Sequence, residues 1–403
     1  MPPFDTSPTL SVWRMTLALA VVFVFLATTG WTTIGHRAAP GETRQSTLAA
    51  WAHGRVGHRA LPAPTAPAST IAAFFASLSP AQRTLLADRY PLVVGNLDGV
   101  PVALRYRANR VSLARVLDAE RGRVDDPRLS AEGRHDAVRR VDRFRSLMRP
   151  GRQILAFDPG GTGRAAEVLG DLDRARRISV VVPGVDTNLL TFQKTARMYS
   201  APAGMAASLY AAEHRADPRT PTAVIAWADY TAPVGVGIDA AIGRLAENGA
   251  VRLLGLTAAL PGSAPVSLFC HSYGSVLCGV AAGRLPARVT DVVVAGSPGM
   301  RAEHAADLGT GARVWAMRDS GDWIADVPHV EVGGVGHGAD PVAPEFGARL
   351  LSAAGASGHA GYFEPGTGSL ANFAAIGVGA YGELTCAPAD SACRRGISGA
   401  EAA

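Results

Sequence analysis

Lysine is almost missing from this chain of 403 residues: Lys194 is the only one among 39 basic side chains, and the rest are arginine. The net charge of +5 is therefore an arginine surplus. It is not gathered into a patch interleaved with aromatics, which make up only 6% of the chain, so a nucleic-acid partner is excluded. Cysteine is scarce too, with four residues and no C-x-x-C pair, which removes the usual zinc motifs; no metal and no cofactor are expected. Cys386 and Cys393 bracket a short Ala-Pro-Ala-Asp-Ser-Ala loop and are expected to pair in an oxidising compartment. Cys270 and Cys278 read as two buried free thiols, with a bond between them as the alternative. Charge is sparse at 18% against 48% hydrophobic residues, which leaves ample material for a core.

Long apolar runs are absent except for one. Residues 15–31 carry no charge and follow Arg14. About 17 residues is the lower limit for a membrane-spanning helix and slightly long for a signal-peptide core. Ala27-Thr28-Thr29 makes a poor cleavage site, so an uncleaved anchor is favoured over a secreted form. Either reading implies export. Arg14 before the run and Arg37 and Arg44 after it leave the orientation open. The expected organisation is a signal or anchor segment at 1–36, a Pro- and Ala-rich tether at 37–69, a helical region at 70–150, an α/β domain at 151–385 and a tail at 386–403.

Within the helical region, Ser79-Pro80 signals a helix start, a capping serine before proline at the first helical position. Residues 95–101, Gly-Asn-Leu-Asp-Gly-Val-Pro, read as a turn, with helices at 105–117 and 130–148. From residue 153 the pattern changes to a short strand, a glycine-rich turn at 158–163 and an antiparallel partner at 165–169. That turn lacks the Gly-Lys-Ser/Thr of a phosphate-binding loop. Near-continuous apolar runs at 178–182, 223–227, 266–271, 291–295 and 313–317 then alternate with helical stretches at 192–213 and 238–260. Strands buried on both faces look like this, so the expected fold is a mostly parallel sheet with helices on both faces.

Residues 266–280 read Val-Ser-Leu-Phe-Cys-His-Ser-Tyr-Gly-Ser-Val-Leu-Cys-Gly-Val: strand, abrupt small-residue corner, helix. The corner approximates the G-x-S-x-G elbow that lifts a serine hydroxyl onto a helix N-terminus, with Cys270 in place of the first glycine. Ser272 is the candidate nucleophile, and it needs a base and an acid to orient that base. In this arrangement they follow in the order acid, then histidine. Asp322 is the preferred acid, with Asp319 read as a turn cap and Asp326 as a further candidate. His359 is the preferred base, on a loop able to reach the serine, ahead of His329 and His337; His271 should point away from the site and be structural. The oxyanion donors are expected at the N–H of Tyr273 and of Val185. Trp227 and Tyr230 are candidate substrate-binding walls, or else core aromatics.

Five stretches carry a resemblance to a known family: 95–101, Val-Val-Pro-Gly at 181–184, Cys-His-Ser-Tyr-Gly-Ser at 270–275, Asp-Trp-Ile at 322–324 and His-Ala-Gly-Tyr at 359–362. The chain resembles the actinobacterial α/β-hydrolase family 8, once grouped as a domain of unknown function. Asp229-Tyr230 stands where that family is expected to have Gly-Tyr, a departure at the pocket wall. The resemblance implies an α/β-hydrolase fold and serine-hydrolase chemistry and says almost nothing about substrate. The connection between the 291–295 and 313–317 strands is too short for a cap domain, so the expectation is an open site partly covered by the 70–150 helices. The function expected is hydrolysis of a small-molecule or lipid-like ester by a monomer at or outside the membrane. Acyl transfer by the same residues, or a non-catalytic envelope protein that keeps the fold for binding, are the alternatives. Haloalkane or epoxide chemistry is disfavoured, because those sites need a carboxylate where Ser272 stands.

Overall fold

In the computed structural model the chain is described over residues 44–397. The apolar run at 15–31, with Arg14 and Arg37 beside it, lies outside the described residues. Among the described residues no helix is long and apolar enough to cross a membrane.

Six helices open the described chain: α1 (Arg44–Ala52), α2 (Ala68–Ala76), α3 (Pro80–Arg89), α4 (Pro91–Val94), α5 (Val102–Val124) and α6 (Ala131–Leu147). The start of α3 is a reciprocal cap. Ser79 Oγ accepts from Gln82 N at 3.2 Å while Gln82 Oε1 accepts from Ser79 N at 3.0 Å, and Pro80 occupies the first turn. The expected tether at 37–69 is corrected from residue 44 onward. Trp51 is fully buried, stands edge-on to Tyr90 at 5.4 Å and donates its indole N–H to Pro62 O at 2.7 Å. Trp51, Val56 and Leu61 share a core with Ile71, Phe75 and Leu86. These apolar residues are too thinly spaced to form one periodic stripe, but α1 followed by a tight hairpin, Arg55–Val56 with Arg59–Ala60, brings them onto one surface.

Eight strands form one sheet: β1 (Gln153–Asp158), β2 (Arg164–Gly170), β3 (Arg177–Val182), β4 (Thr222–Ala228), β5 (Val266–His271), β6 (Val289–Ala295), β7 (Arg313–Met317) and β8 (Arg349–Leu350). They lie in the order β8-β7-β6-β5-β3-β4-β2-β1. The six from β8 to β4 are parallel, and β2 and β1 add an antiparallel hairpin at the edge. Alternate residues of a strand face opposite cores. Ile178, Val180 and Val182 of β3 pack with α9 (Arg244–Ala259) and α10 (Tyr273–Ala281), which follow the one-turn α8 (Ile238–Ala241); Val181 faces α7 (Pro202–Ala216) and α11 (Gly368–Val378). The fold is an α/β-hydrolase sheet. The helix expected from residue 192 begins later, at Pro202, because proline takes the first helical position and the residue before it, Ala201, is held extended.

The helical region, expected to cover part of the site, packs on the free edge of the sheet. Strand β1 has no further strand beside it, and its exposed peptide groups are satisfied by side chains from the helices. Asn96 accepts from Phe157 N at 3.0 Å and donates to Phe157 O at 2.8 Å. Arg105 Nε donates to Leu155 O at 3.1 Å, and Asn109 Nδ2 to Ile154 O at 3.0 Å. Asn96 reaches Phe157 from the turn at 95–101. Replacing Asn96 with alanine orphans both peptide groups of Phe157, and a loss of about 2 kcal/mol in unfolding free energy is expected in urea titrations, where the leucine isostere offers no rescue.

Candidate active site

Strand β5 ends at His271 and α10 begins at Tyr273, so one residue makes the whole corner. Ser272 takes φ 56° and ψ −131°, a conformation that costs a non-glycine residue about 1–3 kcal/mol. Contacts on every side hold it there. Its N–H donates to Ala295 O at 3.0 Å, its carbonyl accepts from Ser275 N at 2.9 Å and from the Ser275 hydroxyl, and that hydroxyl lies 2.7 Å from Ser297 Oγ. Two glycines are required by space. A Cβ at Gly274 would sit 2.3 Å from Val182 O, and one at Gly184 would sit 2.5 Å from Ser272 Cβ. The loop after β3 therefore runs directly past the serine.

Cys270 and Cys278 are bonded to each other, which corrects the expectation of free thiols. The elbow folds the helix back along the strand it leaves, so the two Cα atoms lie 6.6 Å apart although eight residues separate them. The second pair, Cys386 with Cys393, is bonded as the short loop between them suggested. Among the described residues no cysteine is free.

His359 lies on a short 3₁₀ helix, Gly358–Phe363, far along the chain. Its Nε2 is 2.8 Å from Ser272 Oγ and its Nδ1 is 2.8 Å from Asp322 Oδ1. The carboxylate acceptor places the proton on Nδ1 and leaves Nε2 as the acceptor for the serine hydroxyl. Asp322 is buried and caps its own short helix, accepting from Ile324 N at 3.0 Å, while its Oδ2 accepts from Tyr362 O–H at 2.6 Å. Burial alone pushes this carboxyl up, but the hydrogen bonds from His359, Tyr362 and Ile324 outweigh it and hold the group below the ordinary aspartate range. Asp319, the alternative acid, is occupied as a turn cap, accepting from Gly321 N at 3.0 Å and Gly358 N at 2.9 Å. Asp326 is exposed at the end of the same turn. His337 is buried against Ala240 O at 2.6 Å, and His329 lies 3.7 Å from Asp340, so neither faces the serine hydroxyl.

Of two supporting residues, Tyr362 escaped the reading of the sequence and His271 was read as structural. Tyr362 is fully buried and bridges Asp322 Oδ2 to Asp319 N, from which it accepts at 3.0 Å. Its only signal was its place in the His-Ala-Gly-Tyr stretch. His271 does turn from the serine, but it is not remote from the chemistry: Nε2 donates to the backbone carbonyl of His359 at 2.6 Å, and the two rings lie 4.8 Å apart. Burial, reinforced by the neighbouring His359, drives the His271 pKa down to about 3, so it braces the base as a neutral ring.

Trp227 and Tyr230 are not pocket walls. Both are buried and stack on each other at 5.7 Å, because β4 is covered on both faces. The Tyr230 hydroxyl donates to Pro183 O at 2.6 Å and so anchors, from behind, the loop that carries Val185. Asp229 is likewise turned inward, with Arg252 at 2.5 Å. Tyr273 buries its phenol between Ala246 N at 3.1 Å and Ile242 O at 3.0 Å, and as the first residue of α10 its main-chain N–H has no intrahelical acceptor. Val185 follows Gly184 on the loop that touches Ser272 Cβ. Trp323 is half exposed with its ring 4.7 Å from that of His359. Among the described residues no group of three or more His, Cys, Asp or Glu is placed to hold a metal ion.

The state of His271 has a measurable consequence. It stays neutral when folded but binds a proton below its ordinary value of 6.5 when unfolded, so acid favours the unfolded chain. The loss begins as pH falls through 6.5 and continues toward 3. Thermal unfolding of the wild type and His271→Asn between pH 7 and 4.5 is expected to show a shallower acid decline in the variant; parallel curves would mean that His271 carries no such penalty.

Residues 158–332 match the profile of a family described as alpha/beta hydrolase. The matched segment contains Ser272 and Asp322, while His359 lies beyond it. An uncharacterized protein of Mycobacterium tuberculosis is 29% identical over 279 residues, covering 61% of this chain and 42% of that protein. A second, also uncharacterized, from Mycobacterium bovis is 32% identical over 176 residues, 40% of this chain and 62% of that protein. The chain thus spans less than half of the first relative and about three fifths of the second. A solved 2,6-dihydroxy-pseudo-oxynicotine hydrolase aligns over 70% of this chain and 79% of its own with 11% identity and a TM-score of 0.29, too loose a superposition to bear on the site. The wound sheet, the elbow and the profile match thus fall on the same strands, and over residues 158–332 this chain is similar to the alpha/beta hydrolase family.

Proposed function

We propose that the protein is a serine hydrolase that cleaves a carboxylic ester through an acyl-enzyme. The observation that carries the proposal is the single imidazole of His359 standing 2.8 Å from both Ser272 Oγ and Asp322 Oδ1. A serine hydroxyl is a poor nucleophile until a neighbouring base takes its proton. In the first step Ser272 Oγ bonds to the acyl carbon as its proton passes to His359 Nε2. The carbonyl electrons move to oxygen, which the N–H groups of Tyr273 and Val185 stabilise. Collapse of this adduct expels the alcohol, which leaves with the proton from His359. Water then repeats the sequence: His359 takes its proton, hydroxide adds to the acyl carbon, and Ser272 leaves with the proton as the acid is released. Asp322 stays ionised throughout, balancing the imidazolium and fixing its tautomer. The Tyr362 hydrogen bond and the depressed Asp322 pKa both support that role.

The protein acts as a monomer at or outside the membrane, with no nucleic-acid partner and no metal or cofactor. Two disulfides among the described residues fit an oxidising compartment, and the uncharged run at 15–31 fits a signal or anchor.

A fluorophosphonate probe is expected to label the wild type and leave Ser272→Ala unlabelled. With a short soluble ester such as p-nitrophenyl acetate, His359→Ala and Asp322→Asn should each lower kcat by about 10³–10⁴-fold. Absence of labelling in the folded wild type would move the protein to the non-catalytic binding reading, and alkyl ester in place of free acid when an alcohol is added would make it an acyltransferase.

A further inference from the structure

Of the eleven large apolar side chains exposed among the described residues, seven fall in two short stretches: Val234, Val236 and Ile238 in one, Trp323, Val330, Val332 and Val335 in the other. Val234, Val236 and Val332 are each more than 70% exposed, far beyond what scattered surface residues of this type need. Both stretches are fixed to the active-site end of the sheet. The first is held by Asp186, the residue after the oxyanion donor Val185, whose N–H donates to Pro233 O at 2.8 Å and whose carboxylate accepts from Gly235 N at 2.7 Å. The second starts at Trp323, in contact with the His359 ring, and runs out to a hairpin, Glu331–Val332 paired with Val335–Gly336.

The two stretches also meet each other. Val335 bridges to Ile242, and His337 Nε2 donates to Ala240 O at 2.6 Å while its ring stands edge-on to Tyr273, the residue after the nucleophile. Together they border the serine from the oxyanion loop round to the imidazole. The carboxylates within them are few. Glu331 pairs with Arg301 at 2.6 Å and Asp239 with Arg244 at 3.7 Å, leaving Asp326 at the foot of the second stretch. Neither stretch contributes an unpaired cation that would select an anionic surface.

We propose that this collar seats the protein on the surface of an aggregated, uncharged lipid ester, so that the substrate class is a water-insoluble acyl ester taken from a lipid–water interface. The inference rests on the serine-hydrolase reading and deepens it. A soluble ester reaches Ser272 without the collar. An ester packed among acyl chains is reached only if the rim around the serine is apolar, and burying valines of this size against hydrocarbon supplies the attraction. The ion pairing of Glu331 and Asp239 lets the rim approach an uncharged surface without two isolated carboxylates.

The experiment compares the full chain with Val236→Ser/Val332→Ser/Val335→Ser on two substrates: p-nitrophenyl acetate in solution, and tributyrin titrated through its solubility limit. Both proteins keep the apolar run at 15–31, so attachment through it cancels. The wild-type rate on tributyrin is expected to rise steeply once droplets form. The triple variant should lose about tenfold or more of that droplet rate while keeping its soluble-ester rate within about twofold and its melting temperature. A droplet rate unchanged in the variant, an equal loss on both substrates, or no rise for the wild type would overturn the proposal. So would sedimentation showing a wild-type dimer that the variant dissolves without loss of droplet activity, since the collar would then be a contact between copies. Failure of the serine-hydrolase reading looks different: no phosphonate labelling and no soluble-ester turnover by the wild type.

Discussion

Three backbones converge at Ser272 more closely than side chains larger than hydrogen allow. The carbonyl of Val182 at the end of β3, the Cβ of the serine and the first turn of α10 share one volume, which is why Gly184 and Gly274 are where they are. The convergence forces the serine into a left-handed conformation. Strain of that kind persists only when its surroundings over-determine it. Here they do: the hydrogen bonds of Ser272 to Ala295 and Ser275, the Cys270–Cys278 bond across the corner and the Tyr230 hydroxyl on Pro183 each remove a way for the corner to relax. The result is a hydroxyl held in one place, within hydrogen-bond reach of the His359 ring.

The base is over-determined in the same manner but by different means. His359 sits on a short 3₁₀ helix whose position is set by its neighbours. Asp322 holds its Nδ1, His271 holds its carbonyl, Asp319 holds the N–H of Gly358, and Tyr362 ties the two aspartates together. One buried tyrosine thus links the acid to the turn that carries the base. A loop of this kind acquires precision from hydrogen bonds to the end of the sheet, since it has no strand or long helix of its own.

The helical region solves a different problem. A sheet that ends in the hairpin β1–β2 leaves an edge whose peptide groups would pair with any passing strand. Asn96, Arg105 and Asn109 occupy those groups directly, and the cluster around Trp51 and Phe75 gives the helices a core of their own on which to stand. The region therefore contributes to the site only indirectly, by keeping the sheet that carries Ser272 closed at one side.

Local pattern was enough to read the wound sheet, the elbow and the capped start of α3, because each depends on residues adjacent in the chain: apolar runs of strand length, a serine between small residues, a proline after a capping serine. The choice of Asp322 over Asp319 was legible for the same reason, since turn chemistry marks a cap. Tertiary structure alone decided what depends on residues brought from afar. Cys270 and Cys278 face each other only because the elbow doubles back, Trp227 and Tyr230 are core only because both faces of β4 are covered, and His271 braces His359 across 88 residues of chain. The fold of residues 44–69 was hidden because its apolar residues form no periodic stripe until a hairpin gathers them. The collar was hidden for the opposite reason: valines in glycine-rich loops carry no signal of exposure until the loops are placed.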